Sequence, residues 1–90
     1  MTEMNCVITG NVQGVRYRDY VQGAAGELGL VGYVRNNPDG TVQVVAQGEP
    51  EVLRAFVEYL HEGSVLSSVE SVSVDWGTAR NLLEDFSVKY

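Results

Sequence analysis

Half of the basic residues in this 90-residue chain lie in two short segments that also carry glycine and asparagine. Arg16 and Arg18 fall in residues 10–18, and Arg35 falls in residues 32–42. Guanidinium groups bind phosphate and carboxylate oxygens through paired N–H donors. This clustering has two possible explanations. The arginines form a local site for a small anion, or they simply share one solvated face.

The first segment, GNVQGVRYR over residues 10–18, connects a predicted strand to a predicted helix. Gly10 and Gly14 free the backbone to curl, so that successive N–H groups can point at one anion. The positive end of a helix beginning near Tyr17 favours the same ligand, and Arg18 can bind two phosphate oxygens at once. The segment also fits an ordinary strand-to-helix turn, since it matches neither a Walker sequence nor GxGxxG.

The second segment, GYVRNNPDGTV over residues 32–42, contains the turn signal NPDG between two apolar runs. Asn36 stands at the end of the first run, where its side-chain amide could both donate to and accept from a bound water molecule. Asparagines also serve turns by bonding to nearby backbone groups, as Asn36 and Asn37 could do here. The residues alone leave both roles open for Asn36.

Hydrophobic periodicity and turn residues predict five strands and two helices around these segments. Apolar residues recur at helical spacing over residues 17–28, and Gly29 ends that helix. Pro50 suits the first turn of the second helix, which Gly63 ends. Strands are predicted at residues 4–9, 30–36, 41–47 and 69–76, with a short edge strand at 86–90. The order β-α-β-β-α-β plus one strand indicates an α+β, ferredoxin-like sandwich, an antiparallel sheet with two helices on one face.

This topology brings the two arginine-bearing segments together. The first and second strands run in the same direction, with the third antiparallel between them. The loop after the first strand and the end of the second strand therefore lie at one edge of the sheet. Two strands with one strand between them are ~10 Å apart, so Arg18 and Asn36 can converge on one small ligand. The fold by itself names no function.

Length, charge and cysteine content limit the class of protein. Ninety residues, 44% of them hydrophobic, suit one globular domain spanning residues 1–90. The net charge of −6 would repel nucleic acid, and no apolar run approaches the length of a bilayer span. The single cysteine, Cys6, cannot form an internal disulfide, and the residues at the N-terminus lead us to expect no signal peptide. We expect a cytoplasmic monomer that binds neither nucleic acid nor membrane.

Both segments resemble the signatures of the acylphosphatase family. GNVQGVRYR is similar to the first signature, in which Gly, Val-Gln-Gly-Val and an aromatic-Arg pair recur at this spacing. GYVRNNPDGTVQVVAQG, residues 32–48, is similar to the second, Gly-aromatic-Val-basic-Asn followed by Gly40, Val42 and Gly48 in register. Tyr17 and Tyr33 replace the more usual Phe and Trp. Together the signatures cover nearly a third of the chain.

The resemblance implies a hydrolase that releases phosphate from small acyl phosphates, with no metal or other cofactor. It also implies that Asn36 orients the attacking water and that Arg18 binds the phosphate within a cradle of backbone amides, contributed by Gln13, Gly14, Val15, Arg16, Tyr17 and Arg18. The chemistry agrees, because a carboxylate of pKa about 4 leaves without a strong general acid. Phosphoryl transfer itself mainly needs positioning and charge stabilisation.

The remaining reactive side chains are assigned structural or peripheral roles. Cys6 lies mid-strand and is expected in the core or on a sheet face, as are Trp76 and the tyrosines. His61 is expected to cap or solvate the end of the second helix. Arg16 and Arg35 either add positive potential around the pocket or are simply exposed.

Two other functions fit a ferredoxin-like domain. The first is a non-catalytic module that binds a small anion or ligand. The second is RNA binding, which the net charge and the absence of an aromatic-rich RNP pattern at residues 41–47 oppose. Acylphosphatase-like domains also occur inside larger carbamoyl-handling enzymes, and a stand-alone enzyme is the simpler expectation for this chain.

Overall fold

Five strands form one sheet, and two helices pack against one of its faces. The computed structural model describes residues 1–90, and the elements are β1 (Thr2–Asn11), α1 (Tyr17–Glu27), β2 (Val31–Asn36), β3 (Val42–Gly48), α2 (Pro50–Glu62), β4 (Ser68–Thr78) and β5 (Phe86–Lys89). The strand order is β4-β1-β3-β2-β5. β3 lies between β1 and β2 and is antiparallel to both. The predicted ferredoxin-like α+β fold is confirmed.

The fifth strand makes the sheet mixed rather than wholly antiparallel. β4 is antiparallel to β1 at one edge, whereas β5 pairs with β2 in parallel at the other edge. The chain reverses direction after β4, and it therefore runs in the direction of β1 and β2 when it reaches the far edge. The short terminal strand was expected at an edge, and this position is confirmed.

The core lies between the sheet and the helices. Alternate residues of a strand face the same side, and on both β1 and β3 the inward positions are apolar, as are the inward faces of the helices. The inward residues include Met4, Cys6, Ile8, Val42, Val44, Ala46, Val21, Ala25, Leu53, Phe56 and Leu60. The rings of Phe56 and Phe86 meet edge to face at 6.0 Å, which attaches β5 to α2.

Cys6 is one of these core residues, as expected. It is fully buried, and burial together with the nearby charge of Asp75 raises the pKa of its thiol to about 12. A thiol with this pKa is protonated at neutral pH, so Cys6 is not a nucleophile.

The opposite face of the sheet is crossed by the segment that joins β4 to β5. The side chain of Gln47, 1% exposed, fastens this segment to the sheet. Its Nε2 donates to the carbonyl oxygen of Asn81 (2.7 Å), and its Oε1 accepts from the N–H of Leu83 (2.9 Å). Gln47 Nε2 also donates to Glu3 Oε1 at 2.9 Å. This crossing carries the last residues of the chain to the edge where β2 lies.

The two peripheral side chains lie as expected. Trp76 is opposite the buried Met4 on the helix side of the sheet, and its half-exposed ring is 5.9 Å from the Arg54 guanidinium carbon. His61 is exposed in the last turn of α2. Neither helix is long and apolar enough to cross a membrane.

Gly10 marks the point where β1 leaves regular pairing and turns toward the first arginine-bearing segment. The register with β4 shifts between Thr9 and Gly10, and Gly10 has a φ of 124°. A Cβ at this position would collide with the carbonyl oxygen of Ser68. Glycine is therefore required here by both backbone conformation and space.

We expect Gly10→Ala to destabilise the protein by about 2–3 kcal/mol, because the new methyl group meets rigid backbone in a strained conformation. Gly23→Ala is the matched control. Gly23 lies in α1 with open space around it, and alanine there should stabilise by about 0.5–1 kcal/mol. Urea unfolding measures both, and a wild-type midpoint for Gly10→Ala would contradict the argument.

Candidate active site

The loop between β1 and α1 carries a run of unpaired backbone N–H groups. Gly14 and Arg16 have positive φ values of 73° and 61°, which curl the chain just before the helix. The first hydrogen bond of α1 runs from the N–H of Tyr20 to the carbonyl of Arg16 at 3.1 Å. The N–H groups from Gln13 to Asp19 donate to no acceptor in the protein. Such a run, at the positive end of a helix, favours an anion.

A cavity of about 270 Å³ adjoins this loop. Its lining combines loop, helix and β5 residues, namely Val12, Gly14, Arg16, Tyr17, Arg18, Asp19, Val88 and Tyr90. The volume is near the lower end of the roughly 300–1,000 Å³ found for small-molecule sites. Four of the six residues predicted to form the phosphate cradle therefore line one cavity.

The side chain of Arg18 is held by the end of the chain. Its Nη1 donates to the carbonyl of Lys89 at 2.9 Å, and its guanidinium carbon lies 4.7 Å from the centroid of the Tyr90 ring. One hydrogen bond occupies one of five guanidinium donors, so the others remain for a ligand. Sequence reasoning missed both contacts, because Lys89 is 71 residues away and carries no local signal.

Two other cradle residues support the loop rather than facing a ligand with their side chains. The ring of Tyr17 is buried in the core, and its hydroxyl donates to the carbonyl of Leu60 at 2.7 Å. Burial, with smaller contributions from Tyr20 and Cys6, raises the Tyr17 pKa far above its ordinary value. Tyr17 can therefore contribute only its backbone N–H. The carbonyl of Val15 accepts a hydrogen bond from Ser64 Oγ at 3.2 Å.

Asn36 is the last residue of β2, and its Oδ1 is buried without a hydrogen-bond partner. Because side chains alternate along a strand, Asn36 shares the helix side of the sheet with the buried Val34. Asn36 is not one of the residues lining the Arg18 cavity. A buried oxygen without a hydrogen bond is costly, and the protein supplies no donor for Asn36 Oδ1.

Arg35 is placed away from this site. It precedes Asn36 and so projects to the opposite face of the sheet, where its Nε donates to Gln43 Oε1 at 3.0 Å. Of the three clustered arginines, only Arg16 and Arg18 line the cavity. Of the two roles left open for Arg35, its position favours that of an exposed surface residue.

The turn after Asn36 is built by its neighbours. Asn37 Nδ2 donates to Thr41 Oγ1 at 2.9 Å, and Asp39 Oδ1 accepts from the Thr41 hydroxyl (2.7 Å) and N–H (3.0 Å). These bonds lower the Asp39 pKa, since they favour the carboxylate. Asn37 thus serves the turn, whereas the Asn36 side chain makes no hydrogen bond to it.

The side chain of Gln13 joins the two arginine-bearing segments. Its Nε2 donates to the carbonyls of Asn37 and Thr41, each at 2.8 Å. The sequence predicted only a backbone amide from Gln13, because these partners lie 24 and 28 residues away. The loop that carries the unpaired N–H groups is thereby held against the turn that follows Asn36.

We expect Gln13→Met to destabilise the protein by about 1–3 kcal/mol, since it removes two hydrogen bonds while preserving much of the side-chain volume. Gln22→Met is the matched control, because Gln22 makes one such bond, to the carbonyl of Phe86 at 3.0 Å. Gln22→Met should therefore destabilise the protein by about half as much as Gln13→Met. Urea unfolding distinguishes the two, and equal midpoints would show that the Gln13 bonds do not fasten the loop.

We expect Tyr90→Leu to weaken binding of inorganic phosphate about threefold, because the ring that orients the Arg18 guanidinium is lost. Tyr90→Phe retains the aromatic face and should bind as the wild type does. Titration calorimetry gives both dissociation constants. Unchanged affinity in Tyr90→Leu would mean that the Lys89 carbonyl alone positions Arg18.

Comparisons with known proteins identify the family of the chain. The family model described as Acylphosphatase matches residues 4–88. An acylphosphatase from Thermus thermophilus is 46% identical over 82 residues, which cover 91% of this chain and 93% of the relative. The crystal structure of acylphosphatase from Bacillus subtilis matches with a TM-score of 0.97 and 36% identity, covering 100% of both chains.

A second solved structure, an acylphosphatase from Coxiella burnetii, matches with a TM-score of 0.91 and 34% identity. The match covers 98% of this chain and 92% of the Coxiella burnetii chain. The family match spans nearly the whole chain, including both arginine-bearing segments. The chain belongs to the acylphosphatase family.

Proposed function

We propose that this protein hydrolyses the carboxyl-phosphate bond of small acyl phosphates to a carboxylate and inorganic phosphate. The observation that carries the proposal is that Gly14, Arg16 and Tyr17, whose N–H groups are unpaired, line one cavity together with Arg18. Family membership supports the same substrate class.

The loop and Arg18 bind the phosphoryl group. Backbone N–H groups and the N-terminus of α1 supply fixed partial positive charge, and Arg18 supplies a full charge with paired donors. These groups are already oriented in the free protein, because Lys89 and Tyr90 hold Arg18 and the left-handed Arg16 curls the loop. Preorganised charge of this kind stabilises a phosphoryl-transfer transition state.

Asn36 orients the attacking water through its side-chain carboxamide, whose Oδ1 has no partner within the protein. The water oxygen forms a bond to phosphorus while the bond from phosphorus to the acyl oxygen breaks. The electron pair of that bond leaves with the carboxylate, whose pKa of about 4 makes protonation unnecessary. The carboxamide of Asn36 is not basic at neutral pH, so the water proton passes to a phosphoryl oxygen of the substrate.

The proposal is tested by measuring phosphate release from acetyl phosphate and benzoyl phosphate in the presence of EDTA. The proposed residues need no metal, so the rate should be the same with and without the chelator. Activity that disappears with EDTA would contradict the mechanism. Phosphate binding without turnover would indicate the non-catalytic anion-binding module instead.

Two variants separate binding from turnover. Arg18→Ala should lose phosphate binding and lower kcat/KM by about 10²-fold or more. Asn36→Ala should lower kcat by about 10²-fold while phosphate binding changes less than about twofold, because only the water loses its partner. Arg80→Ala and Asn81→Ala, on the opposite face of the sheet, are the matched controls and should behave as the wild type. A fully active Asn36→Ala would refute the water-orienting role.

A further inference from the structure

Arg16 is a cation at the cavity with no partner in the protein. Arg18 contacts Lys89 and Tyr90, and the arginines elsewhere at residues 35 and 54 contact Gln43 and Trp76. Arg16 lines the same cavity as Arg18, but its side chain makes no hydrogen bond, ion pair or cation–π contact. Its side chain is exposed, whereas Arg18 is half-buried. Arg16 therefore lies nearer the mouth of the cavity.

We propose that the Arg16 guanidinium binds an anionic group on the acyl part of the substrate, so that the protein prefers acyl phosphates carrying a second negative charge. This inference rests on the proposed function. The phosphoryl group occupies the N–H groups and Arg18 deeper in the cavity, and the acyl part extends toward the mouth. A carboxylate or phosphate on that part then meets the unpaired donors of Arg16, which suit either oxyanion.

The charges around the cavity favour such a ligand. Asp19 is the one acidic residue in the lining and opposes a negative acyl group, but it lies in the first turn of α1, where the helix dipole partly offsets its charge. Arg16 and Arg18 outnumber it. In a chain of net charge −6, this local excess of positive charge concentrates anions at one place on the surface.

The backbone at Arg16 provides a second, independent argument. Arg16 is the only non-glycine residue with positive φ, at 61°, a conformation that glycine adopts at lower cost. An arginine in this position sacrifices stability, and strained backbone of this kind clusters at binding sites. A ligand contact made by the Arg16 side chain would offset this cost.

The test compares two substrates of matched size, 4-carboxybenzoyl phosphate and its neutral amide, 4-carbamoylbenzoyl phosphate. The wild type should show a higher kcat/KM for the carboxylated substrate. Arg16→Gly should reduce that preference about fivefold while raising stability to urea, because glycine relaxes the left-handed backbone. Arg16→Lys, which keeps the charge, should show a preference within about twofold of the wild-type value. Arg80→Gly, which removes the same charge from the opposite face of the sheet, should leave it unchanged.

Salt provides a second readout. The preference of the wild type should fall toward that of Arg16→Gly as ionic strength rises, since salt weakens ion pairs between solvent-exposed groups. An unchanged preference in Arg16→Gly overturns the inference, as does an equal loss for both substrates, which would place Arg16 on the phosphoryl group. Turnover of neither substrate by the wild type would instead refute the proposed function.

Discussion

The two hydrogen bonds from the Gln13 amide to the carbonyls of Asn37 and Thr41 connect both halves of the candidate site. One half is the loop whose N–H groups are unpaired, and the other is the end of β2 that carries Asn36. The sheet brings these halves to one edge, because β1 and β2 run in the same direction on either side of β3. The strand spacing alone leaves ~10 Å between them. A side chain that spans this gap determines how the loop sits against the turn.

The loop between β1 and α1 is held in place by its side chains rather than by its backbone N–H groups. The backbone of residues 13–18 leaves its donors free, which contributes nothing to the folded state. The side chain of Tyr17 compensates from within that segment, since its ring is buried and its hydroxyl bonds to the carbonyl of Leu60 in α2. The Ser64 hydroxyl holds the Val15 carbonyl from the other side. A loop can thus be held in place without satisfying its own N–H groups.

The distribution of charge gives an acidic protein a positively charged cavity. Arg35 and Arg54 contact other side chains on the surface, and Arg18 is oriented by a carbonyl and an aromatic ring rather than by a carboxylate. Arg18 therefore retains its full charge toward the cavity. A carboxylate partner would have neutralised it and weakened the attraction for an anion. Neutral support of Arg18 fits the preorganisation that charge stabilisation would require in the proposed function.

The sequence by itself determined the element order, the directions of the first four strands and the meeting of the two arginine-bearing segments, because periodicity and turn residues are local properties. It also identified Arg18 and Asn36 as candidates through the resemblance of both segments to known signatures. Only the tertiary structure decided what holds those groups. Gln13 meets carbonyls 24 and 28 residues away, and Arg18 meets the Lys89 carbonyl 71 residues away. Such contacts depend on register and packing between distant segments, which no local pattern encodes.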